Sequence, residues 1–241
     1  CPSAAGIWLC PAASTEDGSA MFKVLYEDNH LLGVEKPVNV PVMADDSGDE
    51  DLQSMGKQYL KEKYGKPGSV YLGLVHRLDR PVGGAMIFAR TSKAASRLSE
   101  AIRTHQVRKI YYAVTQGVPA QKSGTLVDYL VKDREKNMVT VTDEKHGDRC
   151  ELSYEVLQEK DGLALVEIEL GTGRSHQIRV QFASRGLPLV NDQRYNKNAD
   201  GRGQIALWSH ILSFPHPVSK ETVVLKSLPP REYPWNRFEV R

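Results

Sequence analysis

Residues 75–89 have the sequence VHRLDRPVGGAMIFA, in which a charged turn leads directly into a continuous apolar run. The run at residues 85–89 has no polar position, as expected for a strand that is buried on both faces of a sheet. Asp79 lies in the turn between Arg77 and Arg80, and the proline and glycines that follow favour a sharp change of chain direction. The segment therefore predicts a core strand with a carboxylate held among cations at its start.

Further strands and three helices are predicted on both sides of this run. Helices are expected over residues 52–64, after Thr91 or Ser92 as the N-cap, and over residues 175–185. Because strands outnumber helices and do not alternate with them, we expect an α+β fold. We expect a single domain with a mixed, mainly antiparallel central sheet flanked by helices. The other predicted strands lie at residues 22–26, 31–37, 110–115, 151–157, 163–170, 205–214 and 222–226.

The charges of the chain are unevenly distributed although its net charge is only +2. Residues 16–62 hold 11 acidic and 4 basic side chains, whereas residues 63–241 hold 19 acidic and 28 basic ones. A basic body suits a polyanionic partner, because each neutralised phosphate releases a counterion. Charge alone fits a mildly basic soluble protein equally well. No apolar run of about 18 residues occurs, so we expect no transmembrane helix and no membrane partner.

The three cysteines are Cys1, Cys10 and Cys150. Their odd number and wide spacing argue against a disulfide framework and fit a reducing, cytoplasmic location. Residues 1–20 mix small residues and proline without the pattern of a secretory signal. We therefore expect residues 1–20 to be a disordered or non-native extension that is dispensable, and residues 21–241 to form the folded domain.

A second polar segment, residues 171–180, has the sequence GTGRSHQIRV. Ser175 is a candidate N-cap, and the free N–H groups at a helix start favour a phosphate. Ile178 and Phe182 are four residues apart and can anchor such a helix in the core. Arg179 then lies near a buried face, where its charge requires a carboxylate partner or a bound anion. An ordinary structural ion pair satisfies the same requirement.

A third segment, residues 108–114, has two cations before a strand that contains two tyrosines. Tyr111 and Tyr112 must point to opposite faces of that strand. One of them should face the core, and the other should face a site or solvent.

Taken together, these motifs resemble those of the RluA-type pseudouridine synthases. HRLD at residues 76–79 is similar to the catalytic motif of that family, and K-x-Y-x-A at residues 109–113 is similar to its tyrosine motif. GRSHQIRV, ending at Val180, resembles its arginine motif. The segment NDQRY at residues 191–195 resembles its GDxxY loop. Ser209-His210 and the FPHP turn that ends at Pro217 are similar to its C-terminal strand and turn.

The resemblance implies an isomerase that converts a uridine in rRNA or tRNA to pseudouridine without a cofactor. We expect the protein to be a monomer. It implies that Asp79 is the catalytic aspartate, that Tyr111 stacks on the flipped base, and that Arg179 holds Asp79 through a salt bridge. The remaining implied residues line the RNA side of the site; they are His76, Arg77, Arg80, Arg108, Lys109, Arg174, His176 and Gln177.

The implied chemistry needs these residue types. Uracil must leave C1′ and rejoin it through C5, and breaking the glycosidic bond builds positive character at C1′. An ionised Asp79 can stabilise or trap that centre, or it can remove the C2′ proton; the sequence leaves both routes open. The base must leave its stack to be reached, so a pocket for a flipped base is expected.

Two departures from the family pattern stand beside these motifs. The family usually has Thr/Ser-Ser-Gly where this chain has Val82-Gly83-Gly84, and it usually has glycine where Asn191 stands. Two other functions remain as alternatives. One is an RNA-binding module without catalysis, and the other is a hydrolase that uses a carboxylate on a small nucleoside or sugar. The lack of a second motif-like acid near Asp79 argues against the hydrolase.

Overall fold

The computed structural model describes residues 22–241 of the chain, so the expectation for residues 1–20 lies outside the described residues. Three helices occur in this range: α1 Leu52–Lys63, α2 Ser92–Arg103 and α3 Gln177–Ala183. The same range holds eleven strands: β1 Lys23–Glu27, β2 Leu31–Lys36, β3 Gly73–Leu74, β4 Gly83–Ala89, β5 Arg108–Gln116, β6 Ser123–Asp133, β7 Met138–Thr142, β8 Asp148–Lys160, β9 Leu163–Leu170, β10 Leu207–Pro215 and β11 Thr222–Lys226.

All eleven strands belong to one sheet. Nine follow the order β1-β2-β4-β10-β5-β9-β8-β6-β7, while β3 pairs with β4 and β11 pairs with β10. The β4–β10 pairing is parallel and the other pairings are antiparallel. The predicted α+β fold with a mixed, mainly antiparallel sheet is therefore confirmed. Within residues 22–241, no helix has the length and apolarity to cross a membrane.

Strand β4 is buried along its whole length, as its apolar sequence predicts. Its alternate side chains enter two different cores. Met86 and Phe88 pack in the cluster that contains the buried residues of α1. Ile87 packs in the cluster that contains Ala94 and Leu98 of α2. The two helices therefore cover opposite faces of the sheet around β4. This packing fixes the position of the turn that carries Asp79.

Helix α3 is shorter than predicted and begins later. It spans Gln177–Ala183 rather than residues 175–185, and Ser175 is not its N-cap. The N-cap position is occupied by His176, whose φ of 51° lies in the left-handed region and which makes no side-chain capping bond. A left-handed residue cannot continue a right-handed helix, so the helix cannot begin at Ser175.

Strands β6 and β7 are the main elements that the sequence prediction missed. They pair with each other at the edge of the sheet, and β6 also pairs with β8. Gly124 lies inside β6 opposite Tyr154. Most of their side chains are exposed or only partly buried, and in β6 apolar residues occur on both faces, so neither strand shows a consistently buried apolar face.

Candidate active site

Asp79 lies in the turn between β3 and β4, at the wall of a cleft of about 1060 Å³. The Asp79 carbonyl accepts a hydrogen bond from the Val82 N–H at 2.9 Å, which closes the turn. The neighbouring Leu78 is buried in the core, whereas the Asp79 side chain remains 27% exposed. The turn therefore presents one carboxylate to the cleft from a rigid support.

Lys36, at the end of β2, stabilises this turn through hydrogen bonds to backbone carbonyls. Its side chain is fully buried, and its Nζ donates to the carbonyls of Pro37, Arg80 and Val82 at 2.8–2.9 Å. Burial lowers the pKa of Lys36 to about 7, against the opposing effect of the nearby Asp79 charge. The sequence prediction missed this residue, because a lysine before a proline at a strand end is typical of a solvated turn.

Arg179 joins two carboxylates in the interior. Its Nη1 donates to Asp79 Oδ2 at 3.1 Å, while Nε and Nη2 donate to the two oxygens of Asp192 at 2.9 and 2.7 Å. The side chains of Arg179 and Asp192 are 4% and 0% exposed. Burial alone disfavours the guanidinium charge, but Asp192 and Asp79 together raise the pKa of Arg179 above its ordinary value. Arg179 is thus a permanently charged link between a buried anchor and Asp79.

Asp192 is the second residue that sequence reasoning left without a role. It belongs to the NDQRY segment, and its Oδ1 also accepts from the N–H groups of Arg194 and Tyr195. Asn191, which stands where the family usually has glycine, has a φ of 59°. Asparagine is among the few side chains that tolerate this left-handed region. The departure from glycine therefore leaves the loop geometry intact.

His176 lies against the same carboxylate. Its Nε2 is 3.8 Å from Asp79 Oδ2, and its Nδ1 is 2.7 Å from the hydroxyl of Tyr195. The guanidinium carbon of Arg179 lies 5.2 Å from the centre of the Tyr195 ring. Burial lowers the pKa of His176 despite the opposing charge of Asp79. The neutral form of this histidine therefore predominates at neutral pH.

Tyr111 and Tyr112 point to opposite faces of β5, as predicted. Tyr111 lines the cleft and is 8% exposed, and it lies opposite Ser209 of β10. Burial raises the pKa of Tyr111, the Asp79 charge raises it further, and a hydrogen bond with Ser209 opposes the rise. Tyr112 instead stacks on His210 with a ring separation of 4.0 Å. The cleft-facing tyrosine is therefore a neutral phenol with an apolar ring.

The other predicted site residues also line the cleft, but they differ in how free they are. Arg80 pairs with Asp49 and lies 3.7 Å from Asp45. Arg108 makes a two-pronged pair with Glu169, and Arg174 lies 3.5 Å from Asp148. Arg77 and Lys109 have no ion-pair partner within residues 22–241, and burial lowers the pKa of Lys109.

His76 and Gln177 are engaged inside the protein. The Nε2 of His76 accepts from the Ile87 N–H at 3.1 Å, so its neutral ring carries the proton on Nδ1. Burial lowers the pKa of His76 to about 3. The Gln177 amide donates to Glu151 and Gln181 and accepts from the Arg174 N–H and from Thr172. A cationic role for His76 and a direct RNA contact by the Gln177 amide therefore receive no support from this geometry.

The cleft has a polar lining in which eight cationic residues outnumber the three acidic ones, Asp45, Asp79 and Glu169. No group of three or more histidine, cysteine or acidic side chains suited to a metal ion occurs in the part of the chain that the structure describes. The arrangement can hold an anion with its cations, place a flat ring beside Tyr111, and present the carboxylate of Asp79 to a reacting carbon. These are the properties required for chemistry on a nucleotide.

Comparisons with known proteins agree with this site. Residues 30–184 match the family described as RNA pseudouridylate synthase. The RNA pseudouridine synthase YhcT of Bacillus subtilis is 30% identical over 206 residues, which cover 85% of this chain and 67% of the relative. An RNA pseudouridine synthase of Zymomonas mobilis is 34% identical over 200 residues, covering 79% and 86%. The ribosomal large subunit pseudouridine synthase C of Buchnera aphidicola is 30% identical, covering 85% and 66%.

The chain belongs to the RNA pseudouridylate synthase family, whose members are isomerases that convert uridine to pseudouridine. Two solved structures show the same fold. Human RNA pseudouridylate synthase domain containing 4 superposes with a TM-score of 0.73 at 24% identity, covering 86% of this chain and 88% of that one. Human RNA pseudouridylate synthase domain containing 1 gives a TM-score of 0.73 at 21% identity, covering 89% and 86%.

Proposed function

We propose that this protein isomerises a specific uridine in rRNA or tRNA to pseudouridine, with Asp79 as the reacting carboxylate. The observation that carries the proposal is the contact of Asp79 with the buried Arg179, within a cleft lined by cations. Arg179 fixes the direction of the carboxylate, because a guanidinium is a planar donor that does not lose its proton. The relatives named for the ribosomal large subunit favour rRNA as the RNA class.

In the proposed reaction the N1–C1′ bond of the uridine breaks, uracil turns, and C5 bonds to C1′. The C5 proton is then released to water and N1 takes up a proton from water, so atoms and charge balance without any redox step. Asp79 either stabilises or traps the positive character at C1′ or removes the neighbouring C2′ proton. Tyr111 provides a flat surface on which the flipped base stacks. A base stacked on this buried ring would leave less room for water, which would otherwise attack C1′ once the glycosidic bond has broken.

A binding module without catalysis is the second candidate. The partner-free Arg77 and Lys109 in the cleft favour RNA binding by themselves. RNA binding alone, however, does not need a carboxylate that faces phosphates, since like charges repel. Nor does it need a buried guanidinium and a second buried acid to hold that carboxylate in place.

Tritium release distinguishes the two candidates. Bulk rRNA and tRNA labelled with tritium at uridine C5 are incubated with the full chain, with labelled free uridine as the comparison. The proposal predicts release from at least one RNA pool and none from free uridine. RNA binding without release from either pool would favour the binding module, and release from free uridine would favour a nucleoside enzyme.

A further inference from the structure

The cations that line the cleft fall into two classes by their partners. Four of them, Arg80, Arg108, Arg174 and Arg179, are paired with acidic side chains. Others that line the cleft have no acidic partner within residues 22–241; they are Arg77, Lys109, Lys132 and Arg194. The sequence motifs did not indicate Lys132 or Arg194, which belong to the late part of β6 and to the loop after α3.

Lys132 and Arg194 lie on two segments that hydrogen bonds join beside Asp79. Arg194 Nη1 donates to the carbonyl of Asn137, in the turn between β6 and β7, at 3.1 Å. The Tyr195 hydroxyl accepts from the Val139 N–H of β7 at 2.9 Å and contacts His176 at 2.7 Å. The β6–β7 hairpin, the Asp192 loop and His176 therefore form one connected wall of the cleft.

Both cations are close enough to act on this wall electrostatically. After burial, the charges of Arg179, Arg194 and Lys132 lower the pKa of His176, whose Nε2 is 3.8 Å from Asp79. Both side chains are exposed. The single bond of Arg194 to Asn137 leaves most of its five N–H donors available for a ligand.

Free and paired cations differ in the field that they offer to a phosphate. A cation in an ion pair is accompanied by a carboxylate that repels the phosphate, and displacing that carboxylate costs up to about 1 kcal/mol at the surface. A cation without a partner attracts the phosphate with its whole charge and releases a counterion. Phosphates should therefore gather at the free cations of the cleft and not at the paired arginines.

We propose that Lys132 and Arg194 form a binding site for the ribose-phosphate backbone of single-stranded RNA next to the reacting uridine. The inference rests on the proposed function for its ligand, and it assigns the backbone contacts to two residues to which the motifs gave no role. Arg108 and Arg174 then contribute less to binding, although their motifs predict an RNA contact. The β6–β7 hairpin becomes part of the RNA-binding surface and not only the edge of the sheet.

The test measures how RNA binding depends on salt. The probe is a fluorescently labelled single-stranded oligouridylate, titrated with the full chain at several salt concentrations. The variants are Lys132→Gln with Arg194→Gln, Arg108→Gln with Arg174→Gln, and Lys160→Gln with Arg231→Gln. The last pair is the matched control, since both cations are exposed and lie outside the cleft. Lys132→Gln alone serves as a second variant that leaves the Arg194–Asn137 bond in place.

Each lost phosphate contact lowers the slope of log Kd against log salt by about 0.7 for a single strand. We expect a drop of about 1.4 for the Lys132 and Arg194 pair, about 0.7 for Lys132→Gln alone, and less than about 0.7 for the paired arginines. The control pair should match wild type. An unchanged slope in the Lys132 variants, or an equal drop in the paired arginines, overturns the inference.

Tritium release separates this inference from the proposed function. Wild type that releases tritium while the Lys132 variants keep the wild-type slope contradicts the inference and leaves the proposed function standing. Wild type that binds the oligouridylate but releases no tritium contradicts the proposed function, and a slope drop of about 1.4 would still support the binding site.

Discussion

At the scale of single residues, the geometry of the site depends on one arginine. Arg179 is shared by a fully buried acid, Asp192, and a partly exposed one, Asp79. Asp192 supplies the stronger contact, with two hydrogen bonds against one. The third donor of the guanidinium is therefore aimed from a fixed position, which is how a long and flexible side chain can orient a reacting carboxylate.

Replacing Arg179 by alanine should damage stability and activity together. The substitution leaves Asp192 charged and unpaired in the interior, at an expected cost of about 3–5 kcal/mol in the free energy of unfolding. Tritium release should fall by about 100-fold or more, because Asp79 loses its fixed position. Urea unfolding and the tritium assay measure the two effects.

Arg185→Ala is the matched control for this variant. Arg185 follows the same helix and pairs with Asp128, but it is 34% exposed, so its loss should cost about 1 kcal/mol or less. An Arg179→Ala protein with wild-type stability and full activity would contradict the role assigned to Arg179.

The site residues that could be predicted from the sequence are those that lie in the motifs. Asp79 and Arg179 stand 100 positions apart, yet their motifs predicted a contact that the structure shows at 3.1 Å. Asp192 and Lys36 were missed because charged side chains are almost never fully buried without a partner. Lys36 is buried with three carbonyls as its acceptors, and Asp192 is buried with Arg179 as its partner. Such partners become visible only after the chain has folded.

Elements with a regular apolar pattern were predictable, and elements made by pairing were not. β4 and the hairpin of β8 and β9, closed by Asp161 and Gly162 with φ of 53° and 75°, follow from local sequence. Strands β6 and β7 have many exposed positions; β6 pairs with β8, and β7 pairs with β6 at the edge of the sheet. The predicted start of α3 was wrong because the fold fixes the left-handed backbone conformation of His176, through Tyr195 and the Asp79 region.

The junction of β4 and β10 explains why this chain has glycine where the family usually has serine. Gly83 lies opposite Trp208 in the parallel pairing, and a Cβ on Gly83 would collide with the Trp208 ring. The indole is held in place by a hydrogen bond from its Nε1 to Ser227 at 2.9 Å. The Trp208 ring therefore occupies the space that a side chain on Gly83 would need.

Gly83→Ser should lower the free energy of unfolding by about 1–3 kcal/mol, because it overpacks this junction. Combining it with Trp208→Leu should restore part of the loss, so the two changes should couple by at least about 0.5 kcal/mol in a double-mutant cycle. Urea unfolding of the four proteins gives the coupling. Strict additivity would show that Trp208 does not exclude the serine.

Acid sensitivity is a property of the whole molecule to which three histidines contribute. Burial lowers the pKa of His76, His176 and His210, and for His76 the value is about 3. The unfolded chain therefore binds protons below about pH 6.5 that the folded chain does not bind. The contribution of these groups to stability is lost as the pH falls from about 6.5 toward 3.

His76→Gln should flatten this dependence. Between about pH 7 and pH 5, wild type should lose about 2 kcal/mol more than the variant, because only wild type carries the His76 linkage. Glutamine keeps an oxygen that can accept from the Ile87 N–H. Urea unfolding at both pH values measures the difference, and equal losses in the two proteins would show that His76 titrates normally in the folded state.

The central claim is that Asp79 performs the isomerisation, and tritium release by Asp79→Asn tests it most directly. Wild type, Asp79→Asn and the control Asp161→Asn are compared under single-turnover conditions on the RNA pool that wild type uses. Asp161 is an exposed turn residue with a φ of 53°, where asparagine fits equally well. We expect release by wild type and Asp161→Asn, and none by Asp79→Asn while its RNA binding persists. Release by Asp79→Asn at the wild-type rate would contradict the account.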